Sequence, residues 1–126
     1  MPAPSPSRAM ERRRRERSGH TAEAVAAWLL RAKGFRILAR RYATPVGEID
    51  LVARRADLLV FVEVKRRPGL DAAAEALGRR QQLRIARAAE IFLQRHPTVR
   101  QCGVRFDAIA LAPWRWPVHL VDVWRG

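Results

Sequence analysis

Residues Gly47–Arg67 read GEIDLVARRADLLVFVEVKRR, and the rest of the chain is organised around them. Two apolar runs, Glu48–Ala53 and Leu58–Lys65, are joined by the short polar link Arg54-Arg55-Ala56-Asp57, which is the pattern of two strands in a hairpin. Side chains two apart on a strand share a face. Glu48, Asp50 and Val52 are therefore expected on one face of the first strand, with Ile49, Leu51 and Ala53 on the other. On the second strand Val60, Val62 and Val64 form a wholly apolar face that reads as core. Leu59, Phe61, Glu63 and Lys65 share the opposite face, which begins apolar and turns charged.

Buried charge costs several kcal/mol unless it is paired or holds a metal. If Asp50 lies opposite Phe61 or Glu63, then Glu48, Asp50, Glu63 and Lys65 gather on one face, three carboxylates beside one ammonium. Mg²⁺ suits such an all-oxygen set, keeping several waters and accepting phosphate oxygens. It would acidify a bound water and clamp a phosphate, while Lys65 orients the water or meets the charge building on phosphorus. The pattern outlines a phosphodiesterase site. The bland alternative is an exposed edge-strand pair at Glu63 and Lys65, with Glu48 and Asp50 solvating the hairpin. Composition adds one hint. The chain holds 23 arginines and two lysines, Lys33 and Lys65, so a lysine at 65 points to a need for the smaller head group.

Working outward, Ser18 is an N-cap candidate for a helix bearing Ala22, Val25, Ala26, Leu29 and Leu30 at helical spacing and closed by Gly34. Phe35–Tyr42 reads as a strand and Thr44-Pro45-Val46-Gly47 as a turn. Pro68-Gly69 breaks the chain after the hairpin. Asp71 to about Arg95 is expected to form one long helix, with Leu77, Ile85, Ala88, Ala89, Phe92 and Leu93 on its apolar side and His96-Pro97 ending it. Val104–Leu111 and Val118–Val123 complete the strands around a Pro113–Pro117 turn. This order predicts an α/β domain with a mixed sheet flanked by helices.

The 126 residues suit one domain, here taken as 18–126, preceded by a Pro/Ser- then Arg-rich basic arm over 1–17 that is expected to be disordered. No apolar run approaches the roughly 18 residues of a membrane span, and no signal-peptide core is evident, so a cytoplasmic protein off the membrane is the expectation. Cys102 stands alone, which excludes an internal disulfide framework and a cysteine-based zinc site. The net charge is +13, of which the arm carries +4. A domain this basic is expected to bind nucleic acid in a salt-dependent way.

Asp50 … Glu63-x-Lys65 resembles the PD-(D/E)xK nuclease superfamily. More closely, G-E-I-D-L-V-A, V-F-V-E-V-K-R-R and R-F-D-A-I-A resemble the bacterial YraN-like family of uncharacterised, nuclease-related proteins, over about Ser18 to Trp124. The resemblance implies a restriction-endonuclease-like αβββαβ core and kinship with Holliday-junction resolvases. It makes Asp50 and Glu63 metal-binding carboxylates, Lys65 the catalytic lysine and Mg²⁺ or Mn²⁺ the cofactor, with Glu23 and Glu48 as further metal ligands. Ile49 stands where the superfamily's name has proline. Gln81-Gln82 stands where the family tends to show Lys-Gln: if that lysine contacts DNA, Arg79, Arg80 or Arg84 is expected to replace it, and if it assists chemistry, weaker activity is expected here. Arg66, Arg67, Gln81 and Arg12, Arg13, Arg14 and Arg15 are further expected contacts, to phosphate in the case of the arm. DNA is the expected partner ahead of RNA, and a homodimer follows only by analogy with the resolvases.

Two classes of function result: a Mg²⁺-dependent endonuclease acting on DNA, branched DNA included, and a non-catalytic nucleic-acid-binding protein that keeps the nuclease fold. A purely structural interaction protein fits the charge poorly. His20, His96 and His119 make no metal pattern. Asp107 is expected to pair with Arg105 or another arginine as a structural group. Trp114, Trp116 and Trp124, among Arg115 and Arg125, have the composition of a base-stacking surface, but are read here as cover for a sheet edge or a dimer contact.

Overall fold

The computed structural model describes residues 21–66, 78–112 and 115–124. Helix α1 covers residues 21–32 and closes as the glycine predicts. Gly34 takes φ +91°, and its N–H and that of Phe35 donate to the Arg31 and Leu30 carbonyls at 3.0 and 2.9 Å. That paired closure needs a left-handed residue, which glycine adopts without strain.

Three antiparallel strands follow: β1 (Arg36–Thr44), β2 (Gly47–Arg55) and β3 (Leu58–Arg66). The β1–β2 turn is fastened by Thr44, whose Oγ1 accepts the Gly47 N–H at 3.1 Å and donates to the Gly47 carbonyl at 2.7 Å. Helix α2 (Arg79–Arg95) then carries the chain over the sheet, so that β4 (Gly103–Leu111) runs parallel to β3. Such a connection needs a crossover element, here a helix. A short 3₁₀ turn, Pro97–Val99, precedes β4, and β5 (Val118–Trp124) closes the sheet antiparallel to it. The spatial order is β1-β2-β3-β4-β5. The result is the expected α/β architecture, a mixed, mostly antiparallel sheet between two helices.

Two apolar clusters hold the layers together. Under α1, Ala26, Ala27 and Leu30 meet Leu51, Ala53, Val60, Val62 and Ile109. Under α2, Ile85, Ala88, Ala89 and Phe92 meet Ile49, Val52, Leu59, Phe61, Phe106 and Ala108. Phe61 is the hinge of the second cluster, edge-on to Phe92 and stacked on Phe106.

Two helix expectations are corrected. The second helix does not run unbroken from Asp71, because Gly78 is its extended N-cap at φ −64°, ψ 160°; Leu77 and the other residues of 67–77 lie outside the described part. In α1, Val25 is 38% exposed, and the core stripe is Ala22, Ala26, Ala27 and Leu30. The buried face is thus rotated, and it takes in Glu23. The basic arm and Ser18 also fall outside the described residues. Among the described residues, no helix is long and apolar enough to cross a membrane.

Candidate active site

Strict alternation fails on β2, and the failure builds the site. Ile49 packs with Val52 under α2, whereas Leu51 and Ala53 pack under α1. The expectation that Ile49, Leu51 and Ala53 share a face is therefore wrong, as is that of Asp50 and Val52 on one face. The neighbouring strand breaks at the same rung. Arg40 pairs with Leu51 and Tyr42 with Ile49, which sets Arg41 across from Asp50. Arg41 has φ +50°, a left-handed backbone that costs a side-chain-bearing residue about 1–2 kcal/mol. Strain of this kind persists where the surroundings enforce it and collects at functional sites.

The break turns Asp50 and Arg41 towards α1. One carboxylate oxygen from each of Glu23, Glu48 and Asp50 lies within 4.8 Å of the others. Arg41 Nε stands 3.5 Å from Glu23 Oε1 and 3.5 Å from Glu48 Oε1. The opposite flank of β2 opens at the same place. The β2–β3 ladder has its last pair at Leu51 and Val62. Beyond that pair, the Val64 N–H donates to Asp50 Oδ2 at 2.8 Å. The strands part there, and a cavity of about 140 Å³ is lined by Ala22, Glu23, Asp50, Val64 and Arg66.

Glu63 and Lys65 lie on the other side of this mouth. Gln81 Nε2, from the first turn of α2, donates to Glu63 Oε1 at 3.0 Å, and Lys65 Nζ is 3.3 Å from the same oxygen. The four charged residues of the hairpin do not share one face, as alternation implied. Glu48 and Asp50 join Glu23 below α1, Glu63 joins Gln81 below α2, and a hydrogen bond between the carboxyls of Asp50 and Glu63 links the halves.

That bond needs a proton, and the electrostatics supply one. Burial, then the charge of Asp50, push Glu63 up to about 8 against the opposing pull of Lys65. Burial also raises Asp50, although the Val64 N–H, the Glu63 hydrogen bond and Lys65 oppose it. Glu23 is raised by burial and by the negative charge of Asp50. Four acids packed this closely are short of positive charge, and protons and Arg41 make up part of the shortfall.

A divalent ion fits the donor set. Mg²⁺–oxygen bonds of about 2.1 Å place opposite ligands about 4.2 Å apart, and the Glu23–Glu48–Asp50 oxygens already lie within 4.8 Å. All offered atoms are carboxylate oxygens, the preference of Mg²⁺ and Mn²⁺.

Around the mouth the rim is basic. Arg66, Arg79, Arg80 and Arg84 are exposed, and the first turn of α2 contains no acid. Gly47 lies against α2: a Cβ there would stand 3.4 Å from Arg84 Cβ, at the edge of ordinary contact. Gln81, expected as a nucleic-acid contact, has its amide on Glu63. Arg67 and Arg12–Arg15 lie outside the described residues.

Sequence reasoning missed Arg41 and the role of Gln81 against Glu63. It also undervalued Lys33, although the scarcity of lysine marked it. Lys33 Nζ is 2.8 Å from His119 Nδ1, and His119 Nε2 is 2.6 Å from Asp107 Oδ2. An ammonium only donates, so Nδ1 accepts and Nε2–H donates to Asp107. Arg105 grips the same carboxylate through two bonds of 2.9 and 2.8 Å, and the Asp122 N–H adds a third partner at 2.9 Å. Burial opposes ionisation of Asp107, but His119, Arg105 and the Asp122 N–H outweigh it and hold the carboxyl down at about 2. This wholly buried group ties the end of α1 to β4 and β5, which bears out its structural reading.

The fold and site therefore define an α/β protein with an acid cluster and one lysine at the point where β2 and β3 separate. Comparison with other sequences gives the family. The profile of "Uncharacterised protein family UPF0102" matches residues 22–111. The chain is 49% identical to a UPF0102 protein of Chelativorans sp. (strain BNC1), over 91% of this chain and 93% of that one. It is 50% identical to one from Mesorhizobium japonicum, over 91% and 92%, and 56% identical to one from Nitrobacter winogradskyi, over 82% and 88%. The chain belongs to the UPF0102 family, which is the YraN-like family its motifs resemble.

Proposed function

We propose that this UPF0102 protein is a Mg²⁺- or Mn²⁺-dependent endonuclease of the PD-(D/E)xK kind that binds DNA and hydrolyses phosphodiester bonds, branched DNA included. The observation that carries this reading is the convergence of Glu23, Glu48 and Asp50 within 4.8 Å, joined through Asp50 to Glu63 and Lys65. Asp50, Glu48 and Glu23 would hold the ion, with Glu63 beside them. When bound, the ion supplies an acidified water and a clamp on the scissile phosphate.

The chain's own groups have separable roles. Lys65 presents a compact ammonium beside Glu63, placed to orient the attacking water or to meet charge developing on phosphorus. Gln81 holds Glu63 Oε1 and so fixes the carboxyl beside Lys65. Arg66, Arg79, Arg80 and Arg84 line the approach and neutralise phosphates on either side of the cut.

One observation favours the second reading, a binding protein that does not cut. Arg41 already stands between Glu23 and Glu48 and supplies positive charge where an ion would. The test is cleavage of labelled four-way-junction, flap, single-stranded and duplex DNA in Mn²⁺, comparing the wild type with Asp50→Ala and Lys65→Ala at matched salt. Cutting by the wild type, lost in both variants while binding survives, supports the nuclease. Equal binding without cutting in all three proteins supports the non-catalytic reading.

A further inference from the structure

Trp116 is 86% exposed, so the sheet-edge cover expected of it is not its role. Single exposed aromatics are common; the position of this one is what matters. Lys65 pairs with Ala110 and Arg66 with Leu111 across β3 and β4, and Ala110 pairs with Val118 across β4 and β5. Trp116 lies two residues before Val118, so the β4–β5 loop leaves the sheet at the end where Asp50, Glu63 and Lys65 are gathered. Two strand spacings of about 4.8 Å and two residues of about 3.4 Å put Trp116 about 12 Å from Lys65. That is roughly three to four nucleotides of stacked strand.

Two further features suit the site to a flat ligand. Pro117 follows directly, and a residue before proline is pushed towards extended backbone, which narrows the directions in which the chain presents the indole. Arg115, also exposed, stands next to it, while the sequence from Leu111 to Pro117 contains no acid. An aromatic face beside a guanidinium matches a nucleobase attached to a phosphate. Inside a duplex each base is already stacked on both faces, so only an unpaired base offers a free one.

We propose that Trp116, with Arg115, is a stacking platform for an unpaired nucleobase of a strand whose backbone passes the acid site. This rests on the nucleic-acid reading above and adds its specificity: single-stranded, flap or junction DNA ahead of blunt duplex.

The experiment measures binding of a fluorescent single strand and of a blunt duplex of the same length, in EDTA so that no cutting intervenes. Wild type, Trp116→Ala, Trp116→Phe and Arg115→Ala are compared, and the mass of each protein is followed by sedimentation. Trp116→Ala is expected to weaken single-strand binding about tenfold and to leave duplex binding unchanged. Trp116→Phe should retain most of the affinity. Equal losses on both ligands, or no loss on either, would overturn the platform. So would a drop in oligomeric mass without loss of single-strand binding, which would make Trp116 a contact between copies. A wild type that binds neither ligand overturns the nucleic-acid reading as well. A wild type that cuts DNA in Mn²⁺ while Trp116→Ala binds normally overturns this proposal alone.

Discussion

Replacing Glu63 by glutamine tests the electrostatics of the site without depending on catalysis. The native carboxyl holds its proton up to about 8, against a usual 4.5. Between those values the native state binds more protons than the unfolded chain, so this group makes stability fall as pH rises. Its contribution is complete below about pH 4.5 and gone above about pH 8. At about 1.4 kcal/mol per tenfold change in proton affinity, the ceiling is about 5 kcal/mol. Because the proton is shared with Asp50, about 2–4 kcal/mol is expected for the single replacement. Glutamine keeps the geometry: its carbonyl accepts from Gln81 as Glu63 Oε1 does, and its NH₂ donates to Asp50 in place of the carboxyl proton. In EDTA, urea unfolding from pH 5 to 8.5 should show wild type and Glu63→Gln close together at pH 5. The variant should be the more stable by about 2–4 kcal/mol at the alkaline end. Parallel profiles, or a variant weaker at pH 8, would refute the shared-proton account.

Three other outcomes follow from the same geometry. Mn²⁺ or Mg²⁺ should raise the melting temperature, by the equivalent of about 2.7 kcal/mol at a hundredfold excess over Kd, and Asp50→Asn should remove the response in calorimetry. Gln81→Leu takes a donor from a carboxyl that is only 7% exposed; it should cost about 1–2 kcal/mol in denaturant unfolding and lower kcat more than it raises KM. Asp107→Ala strands Arg105 and His119 in a buried site, with an expected loss of about 3–5 kcal/mol. Because the Asp107 pKa is depressed, to about 2 from a usual 3.8, its contribution is present above about pH 4 and is lost as pH falls towards 2. Asp107→Asn should accordingly flatten the acid limb of the stability curve.

The strands, the turns between them and the closure of the first helix at Gly34 were legible because each rests on local chemistry. Period-2 apolar runs, a Thr-Pro-Val-Gly turn and a left-handed glycine need no distant partner to be recognised. The spacing of Asp50, Glu63 and Lys65 was legible for the same reason, since two strands joined by a short link can pair in only a few registers. Alternation then misled at one rung. The left-handed backbone at Arg41 and the break at Asp50 have no mark in the sequence, because arginine and aspartate fit an ordinary strand equally well.

Sequence by itself determined the α/β order of elements, the basic surface and the three principal charged residues of the site. Tertiary structure decided which acids meet. Glu23 reaches the cluster because α1 crosses the sheet where β2 and β3 part, and Gln81 reaches Glu63 because the first turn of α2 lies over the hairpin. Neither helix position is written in any local pattern. Both depend on how two apolar stripes settle on opposite faces of one sheet, and only that packing brings residues far apart in the chain to within a few ångströms.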